Sequence, residues 1–170
     1  MYSLAITKND NVADAVMKLS NIMRYVTDDA NEDFVSLEKE LDSISNYVSL
    51  QQLRLGNKAT INFIIEGDIH GKQIAPLILM PFVENAFKHG ISYATPSSID
   101  IKISITENQL AFFTENQLFA KPPLERTGIG NANTKKRLVQ IYPGKHALDI
   151  STKNDVYTVN LVIYYLKTTI

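Results

Sequence analysis

Apolar residues in the first third of the chain recur with helical spacing. Val12, Val16, Leu19, Met23 and Val26 follow one another at intervals of four and three, the pattern a helix buries against another helix, and they predict a helix over residues 1–29. Asp10, Asp14, Lys18 and Arg24 fall on its polar faces. Two heptads fit a coiled coil and a simple amphipathic helix equally well. A polar connection over 27–33 comes next. Leu37, Leu41, Ile44 and Val48 then repeat the spacing, and Tyr47, Leu50 and Leu53 widen the stripe. Ser36 is placed to cap this second helix, with Glu38 and Glu40 in the first turn, where the helix dipole favours acids, and Gly56 at its end. Residues 1–55 therefore read as an antiparallel helical hairpin. A hairpin cannot bury both stripes alone, so it would pair with another copy or pack on the domain after it.

From Asn57 the period changes to two. Ala59, Ile61, Phe63 and Ile65 alternate with Thr60, Asn62, Ile64 and Glu66, a half-buried strand. A loop marked by Gly67, Asp68 and Gly71 leads to a helix expected over Pro76–His89 and stopped by Gly90. Pro81 either kinks that helix or marks its true start. Ile99, Ile101, Ile103 and Ile105 form a second alternating strand, and a turn at Glu107-Asn108 returns through Leu110–Thr114. Residues 115–127 read as irregular and 127–142 as a glycine-led helix. Residues 148–151 and 156–165 read as a hairpin turning at Lys153-Asn154-Asp155. This order predicts an α+β domain, a mainly antiparallel sheet with helices on one face.

Composition narrows the function classes. An apolar content of 45% over 170 residues is enough for a real core. The net charge of −1 provides no broad basic field to recruit nucleic acid. Cysteine is absent, which excludes disulfides and thiolate chemistry. No apolar run approaches the ~20 residues of a membrane span, and the first residues, Met1-Tyr2-Ser3-Leu4, carry no basic leader. Any membrane anchor is expected outside this chain. His70 and His146 read as surface residues, and no acidic cluster suggests a structural metal site.

Two stretches carry candidate chemistry. Asn85, Lys88 and His89 stand at i, i+3 and i+4 in the expected helix and so share a face. An amide oxygen, an ammonium and an imidazole together suit a divalent cation and a polyphosphate; the plain alternative is a core helix with a polar edge. Gly128 and Gly130 precede a helix bearing Lys135, Lys136 and Arg137. Small residues there let backbone N–H groups and the helix dipole face an anion, although an ordinary helix start reads the same way.

Phe82-Val83-Glu84-Asn85-Ala86-Phe87-Lys88-His89-Gly90, led in by Leu79-Met80-Pro81, closely resembles the N-box of sensor histidine kinases, and more narrowly that of the LytS/YehU-type family. Gly128, Gly130, Asn133, Arg137 and Leu138 match the family's G2 box, with Asn131 in place of the usual leucine. Leu37, Glu40, Leu41, Tyr47, Leu50, Arg54 and Gly56 fill a further family segment. The family's G1 box, Asp-x-Gly-x-Gly, has its counterpart at Phe112–Leu118: Asn116 stands near the aspartate position, no glycine follows, and a one-residue shift would offer Glu115 instead. Thr158 is a weak match to the family's late Gly-Thr element.

The resemblance implies a Bergerat-type two-layer α/β sandwich over 56–170, preceded by part of a dimerisation hairpin over 1–55. It implies ATP and Mg²⁺ as ligands, with Asn85 on the metal, Lys88 and His89 at phosphate oxygens, Asn116 facing adenine, and Gly128, Gly130, Asn133 and Arg137 in the lid region. Glu84 would assist as a base or as a supporting group. The family phosphorylates a histidine in a Pro-His-Phe-like motif, which would lie ahead of Met1. A homodimer, a response regulator (LytTR-type by resemblance), and a cytoplasmic position beside an inner-membrane anchor are also implied. A non-catalytic relative serving as a dimerisation and signalling scaffold is the alternative. An anti-sigma-factor-type kinase on the same fold is a third, which lacks the long hairpin.

Overall fold

The computed structural model describes residues 12–92, 94–119 and 129–165. The chain divides into two compact units after Lys58, with His70–Leu77 returning to the first.

In the first unit, α1 (Val12–Arg24) runs on into a π-helical turn, Tyr25–Asp29, and packs beside α2 (Leu37–Leu55). The Lys39 N–H donates to Ser36 Oγ at 3.4 Å, and Gly56 ends α2 with φ +54, a conformation glycine adopts without a Cβ penalty. Leu37, Leu41, Ile44 and Val48 are all buried. On α1 the expected seam is not the buried one. Val16, Met23 and Val26 are exposed, whereas Ala15 and Tyr25 are buried. Ala15, Leu19, Ile22 and Tyr25 recur on one helix face, and the small Ala15 lets the helices approach closely. The row of larger apolar residues is thereby turned outward.

Two short strands were not legible, because two residues show no period. β1 (Val35–Ser36) pairs antiparallel with β3 (Gln73–Ile74). They bring Leu77 to Glu40, whose carboxylate is fully buried. Glu40 accepts hydrogen bonds from the Tyr25 hydroxyl and from the Leu77 N–H, the latter at 2.9 Å. Burial, reinforced by that carboxylate, holds the Tyr25 hydroxyl well above the ordinary tyrosine pKa. Leu77 has φ +54, which costs a leucine roughly 1–2 kcal/mol; the bond to Glu40 offsets it. Glu40 is therefore more than a first-turn acid serving the helix dipole.

The second unit holds a five-stranded sheet of order β2-β4-β5-β7-β6, formed by β2 (Ala59–Glu66), β4 (Ser97–Ile105), β5 (Gln109–Gln117), β6 (His146–Lys153) and β7 (Val156–Tyr164). Only β2 and β4 run parallel; the other neighbours are antiparallel. Alternate residues Ile99, Ile101, Ile103 and Ile105 of β4, Leu110, Phe112, Thr114 and Asn116 of β5, and Val159, Leu161 and Ile163 of β7 form the buried face. α3 (Met80–His89) lies against β4 and β5 and packs with α4 (Ile129–Ile141). Asn154 and Asp155 both have positive φ, as the tight β6–β7 turn requires.

The fold corrects three sequence expectations. The helix expected from Pro76 begins at Met80, so Pro81 sits in its first turn, where its missing N–H costs nothing, and does not kink it. β5 continues to Gln117, through residues expected to be irregular, because polar Glu115, Asn116 and Gln117 keep the pairing to β7. His146, read as a surface residue, is half-buried and opens β6, its Nδ1 2.8 Å from the Tyr142 carbonyl oxygen. Among the described residues no helix is long and apolar enough to cross a membrane.

Candidate functional site

The position of α3 on the sheet sets the geometry. The Phe82 and Phe112 rings lie 5.9 Å apart, tilted by 41°. At the other end Gly90 lies against Asn116: a Cβ on Gly90 would come within 2.7 Å of the Asn116 Cβ and 2.9 Å of its Nδ2. Eight helical residues rise about 12 Å and four strand residues about 13 Å. The helix and β5 therefore run side by side in the same direction and in step. Phe82, Val83, Ala86 and Phe87 are the buried stripe of α3. Glu84 and Lys88 are exposed, and Asn85 and His89 half-buried, on its polar edge. Asn85, Lys88 and His89 thus stand beside the helix end that abuts Asn116.

Asn116 is 2% exposed. Its Nδ2 donates to the Gln117 carbonyl at 3.0 Å, and its Oδ1 has no partner. A buried acceptor without a donor is costly and is uncommon in folded proteins. It is the atom that an incoming N–H donor would satisfy. A side chain at Gly90 would meet the Ala86 carbonyl oxygen at 2.5 Å as well as this amide, so the close packing here requires glycine.

Glu115 points the other way. It lies on the opposite face of β5, where the Thr158 hydroxyl donates to its Oε2 at 3.2 Å. This decides the alternative left open by the sequence: Asn116, and not Glu115, faces α3. Thr158 is on the far face too, so the sheet separates its side chain from that of Asn116.

The pKa of His89 is lowered from the ordinary value of 6.5, first by burial and then by the neighbouring Lys88 charge. The imidazole is therefore neutral at pH 7, and Lys88 carries the positive charge on this edge. In α4, Gly130 is in the first turn, Asn133 is exposed and Arg137 half-buried, while Leu138 is fully buried and anchors the helix. Gly128 lies outside the described residues. Among the described residues no group of three or more histidines, cysteines or acids could hold a metal. A cation here would depend on the amide of Asn85 together with oxygens brought by a ligand. Sequence reasoning missed Thr114, fully buried with an unpartnered hydroxyl two residues before Asn116 on the same face; a threonine in an apolar strand gives no signal of its own.

The architecture is shared with solved histidine kinases. The histidine kinase domain of a blue-light-activated histidine kinase from Erythrobacter litoralis aligns over 91% of this chain and 74% of its own, with a TM-score of 0.54 and 15% identity. The histidine kinase ThkA, solved in complex with the response regulator TrrA, aligns over 92% of this chain and 50% of its own, with a TM-score of 0.50 and 13% identity. The fold is therefore the Bergerat-type α/β sandwich of histidine kinase catalytic domains, preceded by a helical hairpin. In sequence, the family described as Histidine kinase matches residues 1–59. The sensor protein LytS of Staphylococcus epidermidis is 27% identical over 88% of this chain, and the match spans 28% of that protein's length. In sequence the chain is thus similar to the LytS-type sensor histidine kinases, over about a third of their length.

Proposed function

We propose that this chain is the ATP-binding catalytic portion of a two-component sensor histidine kinase, which transfers the γ-phosphoryl group of ATP to a histidine upstream of this chain. The observation that carries the reading is the unpartnered, buried Oδ1 of Asn116 beneath Gly90. It fits the exocyclic N–H of adenine, and the polar edge of α3 beside it fits the phosphates. Asn85 would hold Mg²⁺ through its amide oxygen. The ion, when bound, neutralises phosphate charge. Lys88 adds a second positive charge, and neutral His89 donates a hydrogen bond to a phosphate oxygen. Gly130, Asn133 and Arg137 of α4, with Gly128, would border the phosphates from the lid side. Glu84, exposed on the same helix, would orient or deprotonate the accepting group. Phosphoryl transfer depends mostly on such positioning and charge stabilisation.

The exposed apolar row Val16, Met23 and Val26 on α1 supports a homodimer formed through residues 1–55. The relation to ThkA, solved with a response regulator, supports a response regulator as acceptor of the phosphoryl group, LytTR-type by family resemblance. A cytoplasmic location next to a membrane-anchored sensor region completes the reading. One observation favours the scaffold alternative: Asn116 and Gln117-Leu118 stand where the family has an aspartate and glycines, so the adenine contact lacks a charge-assisted component. Incubation with γ-labelled ATP separates the two readings. The chain extended to include an upstream histidine is expected to take up acid-labile label, and residues 1–170 alone to take up none. Labelling of a histidine within 1–170, or none in the extended protein, contradicts the proposal.

A further inference from the structure

α3 carries the polar edge of the candidate site but does not fix its own start. Leu79, at its N-cap, makes no side-chain capping bond, and Pro81 follows in the first turn with no N–H to give. The apolar stripe Phe82, Val83, Ala86 and Phe87 is buried, yet apolar burial is non-directional and tolerates a small slide or rotation that would carry Asn85 off a bound ion. A side chain that binds a metal or a phosphate has to be held within about 0.5 Å of its place. The chain just before α3 is tied down residue by residue, and every tie runs to the N-terminal end of α2. The Leu37 N–H donates to the Lys72 carbonyl at 2.9 Å, and Ser36 and Val35 pair with Gln73 and Ile74. The Leu77 N–H donates to Glu40 Oε2 at 2.9 Å. This last tie closes on a strained residue, Leu77 at φ +54. Non-glycine residues in the left-handed region persist only where their surroundings over-determine them. Here a single carboxylate oxygen serves: Glu40 is fully buried, and the Tyr25 hydroxyl, from the turn that closes α1, donates to the same Oε2.

Resting on the nucleotide-binding reading above, we propose that Glu40 and Tyr25 are positioning residues for the phosphate end of that site: by fixing the Leu77 turn they fix where α3 starts, and with it the places of Asn85 and Lys88. Neither residue touches the nucleotide. Leu77 is the last residue of the first unit. Only Ile78 and Leu79, both fully buried, separate it from Met80. A change of backbone at Leu77 is therefore not absorbed before the helix begins. Without the Tyr25 hydroxyl, Glu40 Oε2 loses one of its two donors and the carboxylate is free to turn, so the Leu77 turn is no longer held in one conformation. The metal and phosphate contacts of α3 are thereby conditional on the turn at the end of α1, through three residues that sequence spacing does not bring together.

The test is calorimetric titration of the chain with ADP, with and without Mg²⁺, on wild type, Tyr25→Phe and Glu40→Gln. Each is run well below its unfolding midpoint, beside backbone amide NMR of the nucleotide-free proteins. Tyr25→Phe is expected to weaken Mg-ADP binding about three- to tenfold, to leave Mg²⁺-free binding unchanged, and to shift the amides of Asn85, Lys88 and His89 in the free protein. Glu40→Gln, whose amide oxygen can still accept both bonds, should stay within about twofold of wild type. Wild-type affinity in Tyr25→Phe, from a wild type that binds ADP, overturns this proposal and leaves the nucleotide reading standing. Equal weakening with and without Mg²⁺, or amide shifts confined to residues 12–77, assigns the pair a purely structural role and overturns it too. No ADP binding by folded wild type overturns both.

Discussion

Asn116 shows how one residue type changes what a site can do. A carboxylate at this position only accepts; an amide also donates, and here its Nδ2 is spent on the Gln117 carbonyl. The bond leaves Oδ1, an acceptor, as the unpartnered atom, so the amide keeps the polarity of an aspartate without its charge. His89 obeys a similar logic. Burial and Lys88 lower its pKa, so the unfolded chain takes up its proton first as pH falls. The contribution of His89 to stability is therefore full above pH ~6.5 and is lost as pH falls below it. Titration followed by imidazole NMR is expected to give a midpoint below 6.5, moving upward when a phosphate-bearing ligand sits beside the ring. A midpoint above 6.5 in the free protein contradicts the burial argument. Much at this scale was readable in advance. Asn85, Lys88 and His89 announce themselves by spacing and by motif. The choice between Glu115 and Asn116 was not readable, because strand parity depends on where β5 ends, and polar residues hid the end of its pairing.

At the scale of elements, the two α2 termini were legible because capping is local chemistry: Ser36 and Gly56 sit where a cap must. The face of α1 that would be buried was not. Apolar size favoured Val16, Met23 and Val26, but the approach to α2 is set by small Ala15 and by the Tyr25–Glu40 bond. That bond ties the π-helical turn to α2, and through Glu40 to the strained Leu77. A hydrogen bond to a buried charged group contributes about 1.5–3 kcal/mol, so Tyr25→Phe should destabilise the chain by about that amount in urea unfolding. A change within about ±0.5 kcal/mol would show that the clasp is structurally idle. The long β4–β5 and β6–β7 hairpins were legible in outline from alternation and turn chemistry. The β1–β3 ribbon was invisible, since its pairing spans residues 35 to 74 with only two residues on each side.

For the whole molecule, two features of the surface point outward from the described fold. On the proposed reading a second copy covers the apolar row on α1, which symmetry makes self-complementary. Val16→Lys with Met23→Lys is expected to shift the chain from dimer toward monomer in sedimentation equilibrium, with its circular dichroism unchanged. An unshifted dimer would place the interface elsewhere. The other feature is the polar edge of α3 beside Asn116, the centre of the functional reading. The most direct test is calorimetric titration of the folded chain with a non-hydrolysable ATP analogue, with and without Mg²⁺, beside Asn85→Ala. The account predicts binding that depends on Mg²⁺ in the wild type and disappears in the variant. No detectable heat at millimolar nucleotide, or the same binding in Asn85→Ala as in wild type, would contradict it.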